Sequence, residues 1–173
     1  MYADPIKAQA FAEIAHAGQY YSENLPYTYH LREVVSVLTR FGFTDPTIIT
    51  AAWLHDTIED TTRSYNDIKK AFGVDVAELV YAVTSELGRN RTERNDKTYP
   101  KLVAFGERAV TLKLADRIAN LESGLAQPGG KSDMYRKEFA HFEEMLRPVC
   151  SDKCEPMWAH VRRLLGIISA DVA

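Results

Sequence analysis

The chain has 173 residues, of which 46% are hydrophobic and 26% charged, and its formal net charge is −3. That length corresponds to about one domain burying roughly 70% of its unfolded surface, and the composition excludes wholesale disorder. The negative balance excludes broad nucleic-acid binding, and no apolar run approaches the roughly 18 residues that span a bilayer, so with no signal pattern at the N-terminus a cytoplasmic protein is expected.

Short helices punctuated by Gly and Pro predict an all-α fold. Residues 4–18 read as a helix, with Ile6, Ala10, Ile14 and Ala17 on one stripe. Residues 19–29 are aromatic and irregular, with Pro26 as a breaker. Residues 30–41 are helical again, carrying Leu31, Val34, Val35 and Leu38 at helical spacing, and Gly42 suits a left-handed cap. Thr44-Asp45-Pro46 is a helix start, and that helix is expected to run to about Asp60. Ser64-x-x-Asp67 resembles a capping box for a short helix ending at Phe72-Gly73, and another helix covers about 75–86. Residues 88–99 carry many charges and no apolar face and read as a mobile loop. A helix over about 107–123, a loop at Gln127–Gly130, and helices over about 132–146 and 155–169 follow. No segment alternates with period two. The chain is read as one domain, 1–173, with a motif-bearing core over about 5–125. The C-terminal helices over about 132–170 look like packing elements and are candidates for a homo-oligomer interface. Cys150 and Cys154 stand four apart without a second pair or a nearby His. They read as free thiols in preference to a disulfide or a zinc site.

Chemistry concentrates in residues 51–60. At about 100° per residue, with His55 at zero, Glu59 lies at about 40°, Asp56 at about 100° and Asp60 at about 140°. One arc of a single helix is therefore expected to carry an imidazole and three carboxylates, with Ala51 and Ala52 one turn earlier. Three acids packed together repel unless a cation neutralises them, and adjacent His and Asp offer nitrogen and oxygen ligands to a divalent metal. The alternative is a solvated acidic helix end, which the negative C-terminal dipole disfavours. In the helix over 107–123, Val110, Leu114, Ile118 and Leu121 form one apolar stripe, and Leu112, Ala115 and Ala119 a second. A helix apolar on two sides is buried between neighbours. Asp116, beside the second stripe, then needs a partner, and a salt bridge to Arg108, Lys113 or Arg117 is one candidate.

His30, the His55-Asp56 pair and Asp116 resemble the H…HD…D ligand set of the HD-domain metal-dependent phosphohydrolases. HAGQ (16–19), LPYTYH (25–30), AAWLHDTIEDT (51–61), AFGVDVAELVYAVT (71–84) and LKLADRIANL (112–121) are similar to the hydrolase domain of the RelA/SpoT alarmone enzymes and their small single-domain relatives. The resemblance covers residues 5 to 125. It implies an HD-type helical bundle and one divalent site, usually Mn²⁺, with His30, His55, Asp56 and Asp116 as ligands. Glu59 and Asp60 match the acidic pair that positions or activates the attacking water. Asn120 matches a residue contacting the nucleotide's sugar and phosphate region, and Ser123 a position where the family often has a hydroxyl. The implied substrate is a small phosphorylated nucleotide, and the implied reaction removes the 3′-diphosphate of guanosine tetra- or pentaphosphate.

One departure bears on the substrate. Before the PYxxH element the family carries an Arg-Lys-Ser-Gly stretch whose cations face the guanine base; Tyr21, Ser22, Glu23 and Asn24 stand here. Tyr21 is the candidate to stack on a base. A second reading therefore keeps the metal chemistry and changes the nucleotide, as in an NADPH phosphatase or a nucleotidase. A non-catalytic nucleotide-binding regulator is disfavoured by the complete ligand set. Arg89, Arg91, Arg94, Lys97 and Lys101 cluster near Tyr99 in sequence. Of these, Arg89, Arg94, Lys97 and Tyr99 are the expected phosphate partners, since Arg suits bidentate contacts. His16, His141 and His160 read as structural.

Overall fold

A computed structural model describes residues 3–125 and 132–167; the loop expected at Gln127–Gly130 and positions 168–169 of the last expected helix lie outside them, and that helix ends at Leu164, short of the expected bound, where Gly166 turns the chain at φ +65°. Helix α1 (Pro5–Ala15) starts where the Asp4 carboxylate accepts the Lys7 N–H at 3.0 Å. It packs on α3 (Pro46–Leu54) and buries Ala8 and Ala12, whose small side chains allow close approach. The stripe of Ile6, Ala10, Ile14 and Ala17 read from the sequence faces solvent, with Ile6 84% and Ile14 67% exposed. Two short strands, β1 (Tyr20–Ser22) and β2 (Leu25–Pro26), pair antiparallel in the stretch expected to be irregular. They are too short for alternation to show in the sequence.

Helix α2 (Thr28–Arg40) ends at Gly42, which adopts φ +80° and the left-handed turn expected of it. In α3 the Asp45 carboxylate caps the N–H groups of Thr47 and Ile48 at 3.0 and 3.3 Å, as its sequence predicts. The helix does not continue to Asp60. It stops at Leu54, and a separate turn, α4 (Thr57–Asp60), follows. Between them Asp56 takes φ −95° and ψ −2°, the sparsely populated bridge conformation frequent at functional residues. Helix α5 (Tyr65–Phe72) carries the expected Ser64–Asp67 capping box, and α6 (Val74–Val83) follows.

Residues 91–99, expected as loop, form the first turns of α7 (Arg91–Phe105). Asn90 caps that helix by accepting the Glu93 N–H at 2.9 Å, and Thr98, Tyr99 and Leu102 are buried. Gly106, at φ +102°, turns the chain into α8 (Glu107–Leu125). Both predicted stripes of α8 are buried, and α8 touches α2, α3, α6, α7, α9 (Ser132–Leu146) and α10 (Glu155–Leu164). It is the axis of an all-α bundle. Phe139, Phe142 and Trp158 fill the space between α9 and α10. Both cysteines are free thiols, Cys154 fully buried beside the Thr111 hydroxyl at 3.3 Å. Among the described residues no helix is long and apolar enough to cross a membrane.

Candidate metal centre and nucleotide pocket

The break after Leu54 builds the site. His55 closes α3, and its Nδ1 lies 2.8 Å from the Ala52 carbonyl, so in the neutral ring a cation would bind, Nδ1 is the donor and Nε2 offers its lone pair. His55 Nε2 is buried and makes no hydrogen bond of acceptable geometry, although Asp56 Oδ2 is 3.0 Å away. His30, in the first turn of α2, places Nε2 3.6 Å from Asp56 Oδ2 and 3.2 Å from Asp116 Oδ1. His55 Nε2 lies 3.9 Å from the same Asp116 oxygen. Ligand atoms of His30, His55 and Asp56 all fall within 4.8 Å of one another. Two buried imidazoles thus face two carboxylates from α2, the α3–α4 junction and α8. An orphaned lone-pair nitrogen among oxygen donors fits a divalent cation.

The charges of the metal-free cluster hold one another. Burial alone would lower the His55 pKa, but the charges of Asp56 and then Asp116 outweigh it and raise the value to about 9. Burial pushes Asp116 up, yet the Lys113 ammonium, 3.2 Å away, and the two imidazoles hold it well below the carboxylate range. Asp56 is likewise low: burial opposes this, and the His55 charge prevails. The salt bridge to Lys113, one of the candidates for Asp116, coexists with the histidine contacts. Lys113 is itself pushed above its usual value, against burial, by Asp116, Asp56 and Glu59.

The acidic pair stands beside this cluster, as expected, although on a separate turn. Glu59 Oε2 accepts the Ser85 N–H at 2.9 Å. The Tyr27 hydroxyl lies 2.9 Å from Asp60 Oδ2 and 2.7 Å from Asp56 Oδ2, tying the two carboxylates together. Burial, and then the Asp56 charge, raise the Asp60 pKa. His16 stacks on Tyr27 with centroids 4.6 Å apart and contacts Gln19 Oε1 at 2.7 Å, which is the supporting role expected of it. His141 and His160 pair with Asp96 and Glu122, outside the cluster.

A cavity of about 270 Å³ opens over His30, Asp56, Glu59, Asp60 and Asp116. Arg91 and Arg94 from α7 and Lys113 and Arg117 from α8 also line it. Of the expected substrate residues, Tyr21, Arg94, Tyr99 and Asn120 line this cavity. Arg89 and Lys97 do not: both pair with Glu93 at 2.9 Å, because the helix that replaces the expected loop puts Glu93 between them. Ser123 does not line it but hydrogen-bonds Tyr21. The Tyr21 ring lies flat on the His30 imidazole, 5.0 Å apart with 3° between planes. Its hydroxyl donates to Asn120 Oδ1 at 3.0 Å, and Asn120 Nδ2 donates to Asp116 Oδ1 at 2.6 Å. Tyr21 therefore braces the metal centre with one face already covered. Sequence reasoning passed over Tyr27, Lys113 and Arg117 as site residues although all three lie inside the quoted motifs. Nothing in the sequence signalled Tyr135, which reaches the pocket from α9.

A family model described as HD domain matches residues 8–142. The chain belongs to the HD-domain family. Within that family it is 36% identical over 144 residues to the probable GTP diphosphokinase RSH2, chloroplastic, of Arabidopsis thaliana, a match covering 77% of this chain and 20% of that protein. It is 36% identical over 100 residues to the guanosine-3′,5′-bis(diphosphate) 3′-pyrophosphohydrolase MESH1 of Drosophila melanogaster, covering 57% of this chain and 56% of the fly protein. The chain thus spans about a fifth of the plant relative and about half of the fly one. A solved structure described as a metazoan ortholog of SpoT that hydrolyzes ppGpp matches with a TM-score of 0.80 at 27% identity, over 97% of this HD-domain chain and 98% of that one.

Proposed function

We propose that this HD-domain protein is a Mn²⁺-dependent hydrolase of a small phosphorylated nucleotide, and that its reaction is 3′-pyrophosphohydrolysis of guanosine 3′,5′-bis(diphosphate). The observation that carries the reading is the convergence of His30, His55, Asp56 and Asp116 beside a pocket that Glu59 and Asp60 line together with Arg91, Arg94 and Arg117. The activities named for the fly relative and for the matching solved structure support it.

His30, His55, Asp56 and Asp116 would hold the cation, which supplies Lewis-acid polarisation of a phosphoryl oxygen and acidifies water. Asp60, whose pKa is raised, takes the proton of the attacking water, while Glu59, fixed by the Ser85 N–H, orients that water. The water oxygen attacks the phosphorus next to the 3′ oxygen. The bond between that phosphorus and the 3′ oxygen breaks, pyrophosphate leaves, and the 3′ oxygen takes a proton to become a hydroxyl. Arg94 lines the same pocket, and Lys113, 3.2 Å from Asp116, adds a cation beside the ligands; both would meet the phosphoryl charge. Asn120 holds the sugar and phosphate region.

The hairpin favours a second reading. Tyr21 is committed to His30 and Asn120, so β1 presents no cation to a guanine base. The same machinery would then act on another nucleotide, as an NADPH phosphatase or a nucleotidase. The test is phosphate and pyrophosphate release in Mn²⁺ from guanosine tetra- and pentaphosphate, NADPH and the deoxynucleotide monophosphates. A His55→Ala, Asp56→Ala double variant runs beside it. Pyrophosphate from the alarmones, lost in the double variant, is the expected result. Release from another member alone selects the second reading, and silence across the panel from a Mn²⁺-loaded protein overturns both.

A further inference from the structure

Glu138 of α9 lies beyond the stretch that carries the motifs, yet both of its carboxylate oxygens are engaged by pocket arginines. Oε1 accepts from Arg91 Nε, and Oε2 faces Arg117 Nη2 at 3.5 Å. Arg91 and Arg117 line the metal pocket, whereas Glu138 lines a separate cavity with Thr92, Asn95, Asp96, Lys137 and His141. The carboxylate therefore stands behind the two guanidiniums, and the guanidiniums stand between it and the metal pocket.

Arg117 is only 4% exposed. Its guanidinium carbon lies 3.6 Å from the centroid of Phe142 and 4.8 Å from that of Tyr135, and Arg91 lies 5.2 Å from Tyr135. Ring faces thus fix the planes of both guanidiniums. Arg117 Nη2 also reaches the Tyr99 hydroxyl at 3.4 Å, but Nη1 is buried with no hydrogen-bond partner. A buried guanidinium N–H without an acceptor is costly unless a ligand supplies one. Glu138 already takes one guanidinium contact at each oxygen and makes no hydrogen bond to Arg117 Nη1. Two neighbouring guanidiniums also repel each other, and a shared carboxylate leaves the pair with a net charge of about +1 in a rigid fork. Such a fork matches the oxygens of a phosphoryl group.

We propose that Arg91, Arg117 and the Tyr99 hydroxyl form a phosphoryl-binding subsite of the pocket, and that Glu138 is the positioning residue that holds its two guanidiniums in register. This rests on the nucleotide-hydrolase reading, and it names the wall that takes a phosphoryl group away from the metal ligands. The occupant is a phosphoryl group of the nucleotide or free pyrophosphate.

The test separates the two sources and needs no turnover in its first arm. Inorganic pyrophosphate is titrated calorimetrically into the metal-free protein and its Glu138→Gln variant. The variant keeps the side-chain shape and releases the guanidiniums, so pyrophosphate binding weakens about tenfold, the worth of one charge-assisted contact. In the second arm KM for guanosine 3′,5′-bis(diphosphate) rises by about the same factor while kcat changes less than twofold, since Glu138 touches no reacting atom. Weakened pyrophosphate binding with unchanged KM supports the subsite and assigns it to the free anion. If Glu138→Gln does not fold, Arg91→Gln, at a partly exposed position, removes one donor directly and gives the same tenfold loss. A folded variant whose pyrophosphate affinity is unchanged or tighter overturns the proposal, because Glu138 is then an ordinary ion pair or a competitor for the arginines. Silence of the nucleotide panel beside weakened pyrophosphate binding overturns the hydrolase reading and leaves the subsite standing.

Discussion

Replacing Tyr27 by Phe removes one hydroxyl from the hub of the site and little else. The ring keeps its stack on His16 at 4.6 Å. The hydroxyl lies 2.7 Å from Asp56 Oδ2 and 2.9 Å from Asp60 Oδ2, and that same Asp56 oxygen faces His55 and His30 at 3.0 and 3.6 Å. Burial, followed by the Asp56 charge, drives the Tyr27 pKa far up, so the hydroxyl carries its proton at every working pH. It has one proton to share between two acceptors, so the loss counts as one charge-assisted hydrogen bond, about 1.5–3 kcal/mol. Taken from a ligand's outer support, that corresponds to a ten- to hundredfold weaker Mn²⁺ Kd, about the range seen when such supports are removed. Competition against a fluorescent chelator measures it. Asp60 also loses the bond that holds its pKa down, so the acid limb of the pH–rate profile moves to higher pH. A Tyr27→Phe protein with wild-type Mn²⁺ affinity and an unmoved acid limb would refute the assignment of Tyr27 as the tether between ligand and base.

Three further outcomes are expected. Mn²⁺ at a hundredfold excess over its Kd stabilises the wild-type protein by about 3 kcal/mol and raises Tm by roughly 5–10 °C. His30→Ala abolishes that rise in a thermal-shift assay, and an undiminished rise places the ion elsewhere. In metal-free protein the folded His55 pKa of about 9 exceeds its unfolded 6.5, so its contribution is fully present below pH 6.5 and is lost as pH rises through 9. That interval amounts to about 3 kcal/mol, and urea unfolding in chelator at pH 6.5 and 9.5 should differ by an amount of that order, whereas equal stabilities at the two pH values contradict the cluster's charge balance. Phe142→Ala, at a fully buried position packed against Trp158 and Arg117, costs about 3–5 kcal/mol in urea unfolding, and a loss under about 1 kcal/mol would mean that α9 is not part of the core.

The cluster proposed as ligands was legible because each member lies in a dense local motif, and the two-sided stripes of α8 announced a buried helix around Asp116. The path of the backbone between them was harder to read. Helical periodicity carries through His55 and Asp56, and no Gly or Pro marks the break that the bridge conformation of Asp56 makes. In α1 two apolar faces compete, and the larger residues point outward because Ala8 and Ala12 let α3 come closer. Residues 91–99 looked like a loop because their apolar partners, Leu102 and Val103, come after them. The Asn90 cap and the Glu93–Lys97 pair were the available signals. Charge alone could not separate the cations that pair with Glu93, Arg89 and Lys97, from those that line the pocket. Tyr135 and Glu138 join the pocket only through tertiary packing.

Arg117 sits in the last motif, but its ring partners and its counter-ion come from α9. The length over which the signature can be recognised is therefore shorter than the length that must be inherited as a unit. A gene fragment ending after α8 would retain every metal ligand and surrender the surface that covers a nearly buried guanidinium, while baring the side of α8 that α9 and α10 occupy. The family match, which runs on to Phe142, is consistent with that wider boundary. Any recombination that moves this signature between proteins has to carry α9 and α10 along with it.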